Sequence, residues 1–598
     1  MKKSLHIFLG LMVITGTVIF SCKQKTTSPD RAIGNLLTDQ VDSFSTVCNQ
    51  FRKAAEDPAT QEKSLQNLFL QARLAYKKME WAAEYFAPIT ARQVNGPPVP
   101  EVEMPGLNIT DPAGFQMMEP CLFPHIDPSR HGVFLRQVDL MQSAAGQFQK
   151  RLSGAIMYDP LVFDAVKLEI YRLITLGITG FDNPLTLKSM AETQASLESL
   201  QQILEQYPPR EQTDSLMTAL DGAINYLRVN NDFNSFNRAE FIVRYMNPMT
   251  ASLTLLTQEL NIPFHKYNRL VNQDARTLFD TNTFNVNAYA PDRYFFINPE
   301  KIELGKTLFS DPLLSGNGNR SCQSCHQPAL AFTDGLPKNK TLNQNGLLKR
   351  NTPTLINAAL QSGLFDDLRV NSLEDQSITV VQSSDEMHGS MQTIAHRLWD
   401  SQKYRDLFAR AFPKKDRRGI DTMEVMNAIG SYVRSLVQLN SRFDDFMRGN
   451  KTALNTQELQ GFNLFMGKAK CGTCHFMPLF NGNFPPGYIS MESEVIGVPE
   501  TATKKYIDPD LGRYEIVPLG FLKHAFKTPT LRNVARTAPY MHNGVFSNLE
   551  QVVDFYNKGG GTGLGLAVEN QTLPFDQLNL SAQEKEDIIA FMKSLNSH

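Results

Sequence analysis

Two stretches decide the reading of this chain: RSCQSCHQ, residues 320–327, and AKCGTCHF, residues 469–476. Each holds two cysteines three apart followed at once by histidine: Cys322, Cys325 and His326 in the first, Cys471, Cys474 and His475 in the second. The spacing C-x-x-C-H is the attachment signal for c-type haem. Its logic is geometric. Two thiols on one helical turn bond the two vinyl groups of the porphyrin, and the adjacent imidazole then meets the iron as proximal ligand. A zinc ribbon spaces its cysteine pairs by about 15 to 20 residues, far closer than these two. A thioredoxin-like redox pair needs a βαβ setting, which the sequence lacks. Two covalently bound haem c groups are therefore expected, with His326 and His475 as axial ligands. Cys48 and Cys121 have no histidine beside them and stay open to a disulfide or to two buried thiols.

Outward from these motifs the pattern is helical. Asn298 and Pro299 suit an N-cap and first-turn proline. Asn455 with Glu458, and Ser581 with Glu584, have capping-box spacing. Apolar residues follow each at helical intervals: Leu459, Phe462 and Met466, then Ile588, Met592 and Leu595. From about Leu36 to Leu270 the same period recurs, as in Leu65, Phe69, Ala72, Tyr76, Met79 and Ala83. Val94 to Pro112, rich in Pro, Gly and Asn, reads as a loop between helices, and 282–292 reads as a boundary. Long alternating strands are absent. The expected fold is mostly α: a helical-bundle domain over 36–280, then two cytochrome c-like haem domains over 293–450 and 451–598.

The 598 residues include 42% apolar and 20% charged side chains, enough to bury ordinary cores. Fifty-nine Lys and Arg face 61 Asp and Glu, a formal charge of -2, which argues against nucleic acid as the main partner. The opening MKKSLHIFLGLMVITGTVIFSCKQ sets two lysines before a short apolar run, the pattern of an export signal. The run is shorter than the about 20 residues a membrane span needs. Ile19-Phe20-Ser21-Cys22 resembles a bacterial lipobox. Residues 1–22 are read as a lipoprotein signal with Cys22 lipidated, and 23–35 as a tether. The expected location is the periplasm or cell envelope, with the membrane reached through the lipid anchor.

Between Tyr294 and His598 the chain resembles the bacterial dihaem cytochrome c peroxidase and MauG family. The blocks that carry the likeness are ELGKTLFSDPLLSGNGNRSCQSCH, AFTDG, RNTPTLINAA, LEDQ, DEMH, FKTPTLRNVARTAPYMHNGVF and LEQVVDFY, in family order. The resemblance implies that Gln376 and Glu386 line the open face of the first haem. A carboxylate there can move a proton from one peroxide oxygen to the other, and Gln376 can hold peroxide or water without titrating. Leu342 stands where many relatives have a distal histidine, so the first haem is expected to stay accessible. The position fourteen after His542, where the family has methionine or tyrosine as distal ligand of the second haem, is Tyr556. Met541 is a nearby competitor. The family also implies a calcium ion held by the Asn351 side chain and the carbonyls of Thr537 and Pro539. One departure is Asp366, where relatives commonly place a tryptophan between the haems; Phe365 beside it is a candidate electron route.

In the amino-terminal half, DPAGFQMMEPCLF resembles the G-x-H-x-x-E block of imelysin-like helical domains through Gly114, Gln116 and Glu119. Glutamine replaces the histidine, and a docking or spacer role is the favoured reading. The expected function is an exported dihaem peroxidase that reduces hydrogen peroxide to water. Electrons would come from a cytochrome, cupredoxin or quinol-linked donor through the second haem. The alternatives are a MauG-like oxidase acting on a partner protein and a non-catalytic relay or metal-binding lipoprotein.

Overall fold

The computed structural model describes residues 28–103, 108–264, 268–414, 416–503, 506–574 and 576–598. Cys22 lies outside the described residues.

The amino-terminal half is built from α1 (Pro29–Glu56), α2 (Glu62–Phe86), α3 (His131–Leu152), α4 (Asp159–Thr175), α5 (Ser189–Leu204), α6 (Glu211–Val229) and α7 (Asn247–Glu259). In α1, Pro29 sits in the first turn, where its missing N–H costs nothing. Ile33, Leu37, Val41, Phe44, Cys48, Phe51 and Ala55 recur every three or four residues and are all buried. They form one stripe, and α1 packs against α2 and α3. Regular helix ends at Glu259, short of the Leu270 expected from the apolar pattern. Cys48 and Cys121 are two buried free thiols.

The stretch from Val94 to Pro112 is more than a loop. A short helix occupies Pro88–Asn95, and Glu101–Glu103 (β1) pairs antiparallel with Asn108–Thr110 (β2). Tertiary contact explains the hairpin. Val102 is buried in a cluster with Val495, Leu522 and Ala525, and Arg513 donates from Nη2 to the Val102 carbonyl at 2.9 Å. The hairpin thereby ties the first half of the chain to its last quarter.

The carboxy-terminal half contains α8 (Pro299–Ser310), α9 (Leu373–Gln382), α10 (Thr422–Arg434), α11 (Thr456–Phe465), α12 (Leu549–Asn557) and α13 (Ala582–Ser594). The caps form as the sequence dictates. Asn298 accepts from Lys301 N at 2.8 Å, and Asn455 and Ser581 form capping boxes with Glu458 and Glu584. In each haem domain the first helix crosses a later one at a glycine. A β-carbon on Gly305 would stand 1.8 Å from the Ala428 carbonyl oxygen, and one on Gly461 would stand 1.9 Å from that of Asp587. Only hydrogen fits there, so α8 lies on α10, and α11 on α13, almost backbone to backbone. The chain is mostly α, with two cytochrome c-like domains after the helical half.

The cores do not follow the sequence boundary. The first haem domain has its own clusters, one around Leu304, Leu398, Phe408 and Val425, another around Phe309, Ile356 and Tyr432. The second haem domain shares a continuous core with the helical half, through Phe462, Phe465 and Phe591 among others, and this core also takes in Phe443 near the end of the first haem domain, which meets Phe279 edge to face at 6.1 Å. Among the described residues no helix is long and apolar enough to cross a membrane.

Candidate active site

The first attachment motif is a tight turn. Cys322–Ser324 form one 3-10 turn behind Ser321, and His326 N donates to the Cys322 carbonyl at 2.9 Å. The His326 ring is then fixed by its Nδ1, 3.0 Å from the Phe332 carbonyl. A carbonyl only accepts, so Nδ1 carries the hydrogen and Nε2 keeps its lone pair for a metal. Loss of hydration raises the Cys322 thiol to about 12 and the Cys325 thiol to about 11, and lowers the imidazole of His326. All three side chains nevertheless keep partial access to solvent. Groups surrounded by protein yet open on one side are the wall of a crevice.

The second motif repeats the arrangement. Cys471–Thr473 form a 3-10 turn, His475 N donates to the Cys471 carbonyl at 2.9 Å, and its Nδ1 lies 3.1 Å from Pro529 O and 3.3 Å from Phe480 O. Burial pushes the His475 imidazole down to about 4 and the Cys471 thiol up to about 12. Paired thiols on one turn and an imidazole turned Nε2-outward, present twice, fit covalent haem c at both places.

Tyr556, the candidate distal ligand of the second haem, lies near the end of α12. On α12 the packing side chains are Leu549, Val553 and Phe555, while Tyr556 stays partly accessible. Burial raises its hydroxyl, and the charges of Cys474, Cys471 and Glu494 add to the rise. Phe555 takes the packing role that might have been Tyr556's, touching Phe546 at 5.5 Å. Glu494 was not legible in the sequence. Its Oε1 lies 3.8 Å from Cys474 Sγ, and burial raises its carboxyl. His542 is turned elsewhere, stacked on Phe526 at 3.7 Å and 3.3 Å from Asp508.

At the first crevice, α9 and the turn after it carry the two candidate catalytic side chains. Ser372 caps α9, accepting from Asp375 N at 3.1 Å. Gln376, one turn in, is half-exposed. After α9 the carbonyl of Ser383 accepts from Glu386 N, Met387 N and His388 N at 3.2, 3.1 and 2.8 Å, a turn that presents Glu386. Arg320, just before the motif, donates to the Glu386 carbonyl at 3.2 Å and to those of Lys340 and Thr341 at 3.0 and 3.1 Å. Burial raises the half-exposed Glu386 carboxyl, Arg369 and then Arg320 draw it back, and Asp385 adds to the rise. The Cys325 thiol is raised chiefly by burial, lowered by Arg320, and raised by Asp334 and then Glu386; through the Glu386 carbonyl, Arg320 ties the Glu386 turn to the segment just before the attachment motif.

Leu342 is buried, and its N–H donates to the Asp385 carbonyl at 2.7 Å, tying its loop to the same turn. A cavity of about 460 Å3 lies against this turn, lined among others by Asn317, Leu342, His388 and Arg397. Asn351 N donates to the His542 carbonyl at 2.7 Å, and its side-chain amide donates to the Leu336 carbonyl at 2.7 Å. Glu119 is buried and accepts from Thr186 N and Oγ1 at 2.9 and 2.7 Å. Among the described residues no group of three or more His, Cys, Asp or Glu stands close enough to hold a metal ion.

The chain is similar to known proteins over about half of its length. Residues 299–452 match the family model described as di-haem cytochrome c peroxidase. The methylamine utilization protein MauG of Methylorubrum extorquens is 34% identical over 303 residues, covering 50% of this chain and 79% of that protein. Cytochrome-c peroxidase IdrP1 of Pseudomonas sp. (strain SCT) is 36% identical over 322 residues, 50% of this chain and 81% of that one. Among solved structures, a MauG-like protein associated with microbial copper homeostasis is 29% identical, covers 51% of this chain and 91% of its own, and superposes with a TM-score of 0.45.

Proposed function

Because the chain belongs to the dihaem cytochrome c peroxidase and MauG family, an oxidoreductase family with two c-type haems, we propose that it reduces hydrogen peroxide to water at the crevice of His326. In this reading residues 293–450 hold the peroxide-reducing haem and 451–598 the haem that receives electrons from an external cytochrome, cupredoxin or quinol-linked donor. One peroxide, two electrons and two protons give two waters, and the haems when bound supply the electron transfer and the open iron position for O–O cleavage.

The chain's own residues do the rest. Glu386, as carboxylate, takes the proton from one peroxide oxygen and returns it to the other, so that the departing oxygen leaves as water and not hydroxide. Gln376 orients peroxide by hydrogen bonding. The Phe332 carbonyl on His326, and those of Pro529 and Phe480 on His475, keep each Nε2 directed outward. Tyr556 offers the second haem a hard oxygen ligand that favours the ferric state. Asn351, Thr537 and Pro539 are read as calcium ligands between the haem domains. Export and a lipid anchor at Cys22 would place the protein in the periplasm or cell envelope.

The observation that carries this reading is the twice-repeated attachment turn, in which backbone carbonyls hold each histidine's Nδ1 and leave Nε2 for a metal; Glu386, on the turn that Arg320 ties to the first of them, is the candidate proton carrier, its carboxyl raised by burial. The test is peroxide-dependent oxidation of a small reduced cytochrome by the haem-loaded protein. Glu386→Gln should lower the rate by about 10²-fold or more; a rate within a few-fold of the parent's rejects the assignment. Tyr556 favours a second reading, a MauG-like oxidase of a partner protein. That reading gains if peroxide oxidises side chains of a partner while the small cytochrome stays reduced.

A further inference from the structure

The described chain begins at Ser28, at one pole of the helical half. Phe44 meets Tyr76 and Phe51 meets Phe69, at 5.8 and 6.5 Å between ring centres, so α2 runs antiparallel to α1 and ends beside its start. The turn after α3 comes back along the first turns of α1. Gly154 N donates to Thr38 Oγ1 at 3.0 Å, and Met157 N to the Asp30 carbonyl at 3.4 Å. Gly34 allows that approach, since a β-carbon there would stand 2.4 Å from the Ala155 carbonyl oxygen. Just past α2, Thr90 Oγ1 donates to Gln147 Oε1 on α3 at 3.1 Å. The start of α1, the end of α2 and the turn after α3 therefore share one surface. Three large apolar side chains are left open to solvent on it: Ile89 is 75% exposed, Ile156 54% and Tyr158 64%. Apolar side chains scattered singly over a surface mean little. These three gather where the chain emerges, six residues after Cys22.

We propose that this pole is the seat of the protein on a phospholipid bilayer, with Ile156, Tyr158 and Ile89 lodged at the boundary between headgroups and acyl chains. The inference rests on the lipid anchor proposed for Cys22 and is independent of the peroxidase chemistry. The tether is short. Six residues reach at most about 20–22 Å when fully extended, whereas α1, with 28 residues, is about 42 Å long. A tether shorter than the helix it leads into keeps the pole within reach of the membrane in every orientation, and the apolar side chains select the one that buries them. Tyrosine suits such a boundary, because its ring is apolar and its hydroxyl stays wet. Charge favours the same occupant. Arg31, Lys150 and Arg151 are exposed at this pole, none of them in an ion pair among the described residues, and Lys23 and Lys25 lie in the tether. The acids nearby are Asp30, Glu205 and Asp159, the last engaged by Tyr207 Oη at 3.0 Å. The basic surplus matches phosphate headgroups. A second copy or a partner protein on this face would have to displace the bilayer that the tether brings there.

The test uses the full, haem-loaded chain with its anchor, reconstituted on vesicles of phosphatidylethanolamine and phosphatidylglycerol. Nitroxide labels are placed through Tyr158→Cys, Ile156→Cys and Ile89→Cys, one at a time, and through Val229→Cys as reference. Val229 is 73% exposed and ends α6, away from the turn of Tyr207 that precedes that helix. Cys48 and Cys121 are buried, so the introduced thiol takes the label. Collisions with oxygen, which concentrates in lipid, and with a water-soluble nickel chelate report where each label sits. At 158 and 156 the oxygen-to-chelate ratio should rise severalfold on vesicles over the same label in a Cys22→Ser chain in buffer, at 89 it should rise as well, and at 229 it should stay unchanged. Labels at 158, 156 and 89 that remain open to the chelate, on protein that floats with the vesicles, overturn the inference and leave the anchor standing. Dipolar broadening between labels of two copies gives the face to a second chain and also overturns it. A chain whose Cys22 carries no acyl mass and that stays behind when the vesicles float overturns both the inference and the anchor.

Discussion

Glu374 and Arg434 clasp each other through two parallel hydrogen bonds of 2.6 and 2.7 Å, with their side chains 3% and 2% exposed. The pair welds α9, which carries Gln376, to α10 at the centre of the first haem domain. Gly430 makes room for it, since a β-carbon there would stand 2.4 Å from Glu374 Oε1. Removing one partner leaves the other charge buried and alone, which costs more than the pair contributes. Glu374→Ala is expected to destabilise the domain by about 3–5 kcal/mol, seen as a lower urea midpoint. It should also lower peroxide turnover, because α9 loses its anchor. A midpoint unchanged within error would mean that Arg434 finds another partner.

Tyr556 makes a prediction about the second haem. In the proposed reading it would supply an oxygen ligand to that haem, and such a ligand stabilises ferric iron more than a thioether does. Tyr556→Met should raise the reduction potential of the second haem by on the order of 100 mV, a modest part of the about 0.8 V that axial ligands span. Spectroelectrochemical titration resolves this, with the first haem as internal reference. The same potential in parent and variant would remove Tyr556 from the iron.

What the sequence discloses and what it hides follow from range. The haem motifs are legible because covalent attachment fixes three residues, two cysteines and a histidine, within five positions, as at Cys322–His326. Helix starts are legible for a similar reason: Asn455 and Glu458 satisfy each other's backbone across three residues. Arg369 and Glu494 carry no such mark. Arg369 acquires its setting through Asp367, Arg350 and Asp510, brought together only by the fold. The β1–β2 hairpin hides in a Pro- and Gly-rich stretch because its reason, Val102 against Val495 and Leu522, lies in another part of the chain. The loosened composition at 282–292 gives no sign that the helical half and the second haem domain share one core.

The joint between the haem domains should be sensitive to acid. Burial alone would raise the Asp510 carboxyl, but hydrogen bonds from Arg350 and Gly512 bring it down to about 2. A carboxyl lowered in the folded state stabilises the protein above its unfolded value near 3.8, and that stability is lost as pH falls toward 2. The amount is about 2 kcal/mol. Urea midpoints measured between pH 5 and 2 should fall accordingly, and Arg350→Gln should flatten the slope in that window. A parent and variant with parallel pH profiles would show that Arg350 does not set the Asp510 value.

Arg238 tests whether the helical half is an appended unit or part of the second haem site. The guanidinium is fully buried and donates to the carbonyls of Ile178, Phe236 and Phe233 at 2.8, 3.2 and 2.9 Å. Among the described residues no carboxylate pairs with it, and burial lowers it to about 9. Its backbone N–H donates to Asn463 Oδ1 on α11 at 2.8 Å, and a β-carbon on Gly467, four residues before Cys471, would meet the guanidinium at 2.7 Å. Close by, Phe181 packs on Phe476, the residue after His475, at 5.9 Å. Cutting the three carbonyls loose costs about 1–3 kcal/mol each before relaxation, so Arg238→Met should lose about 3 kcal/mol or more. The loss should appear in the transition that unfolds the second haem domain, because the two share a core. Helical ellipticity and the absorbance of the second haem, followed together on heating, should fall at one temperature and shift down together in the variant. If the ellipticity of the helical half falls first while that haem's absorbance holds, the half is a separate unit and the shared core does not couple them.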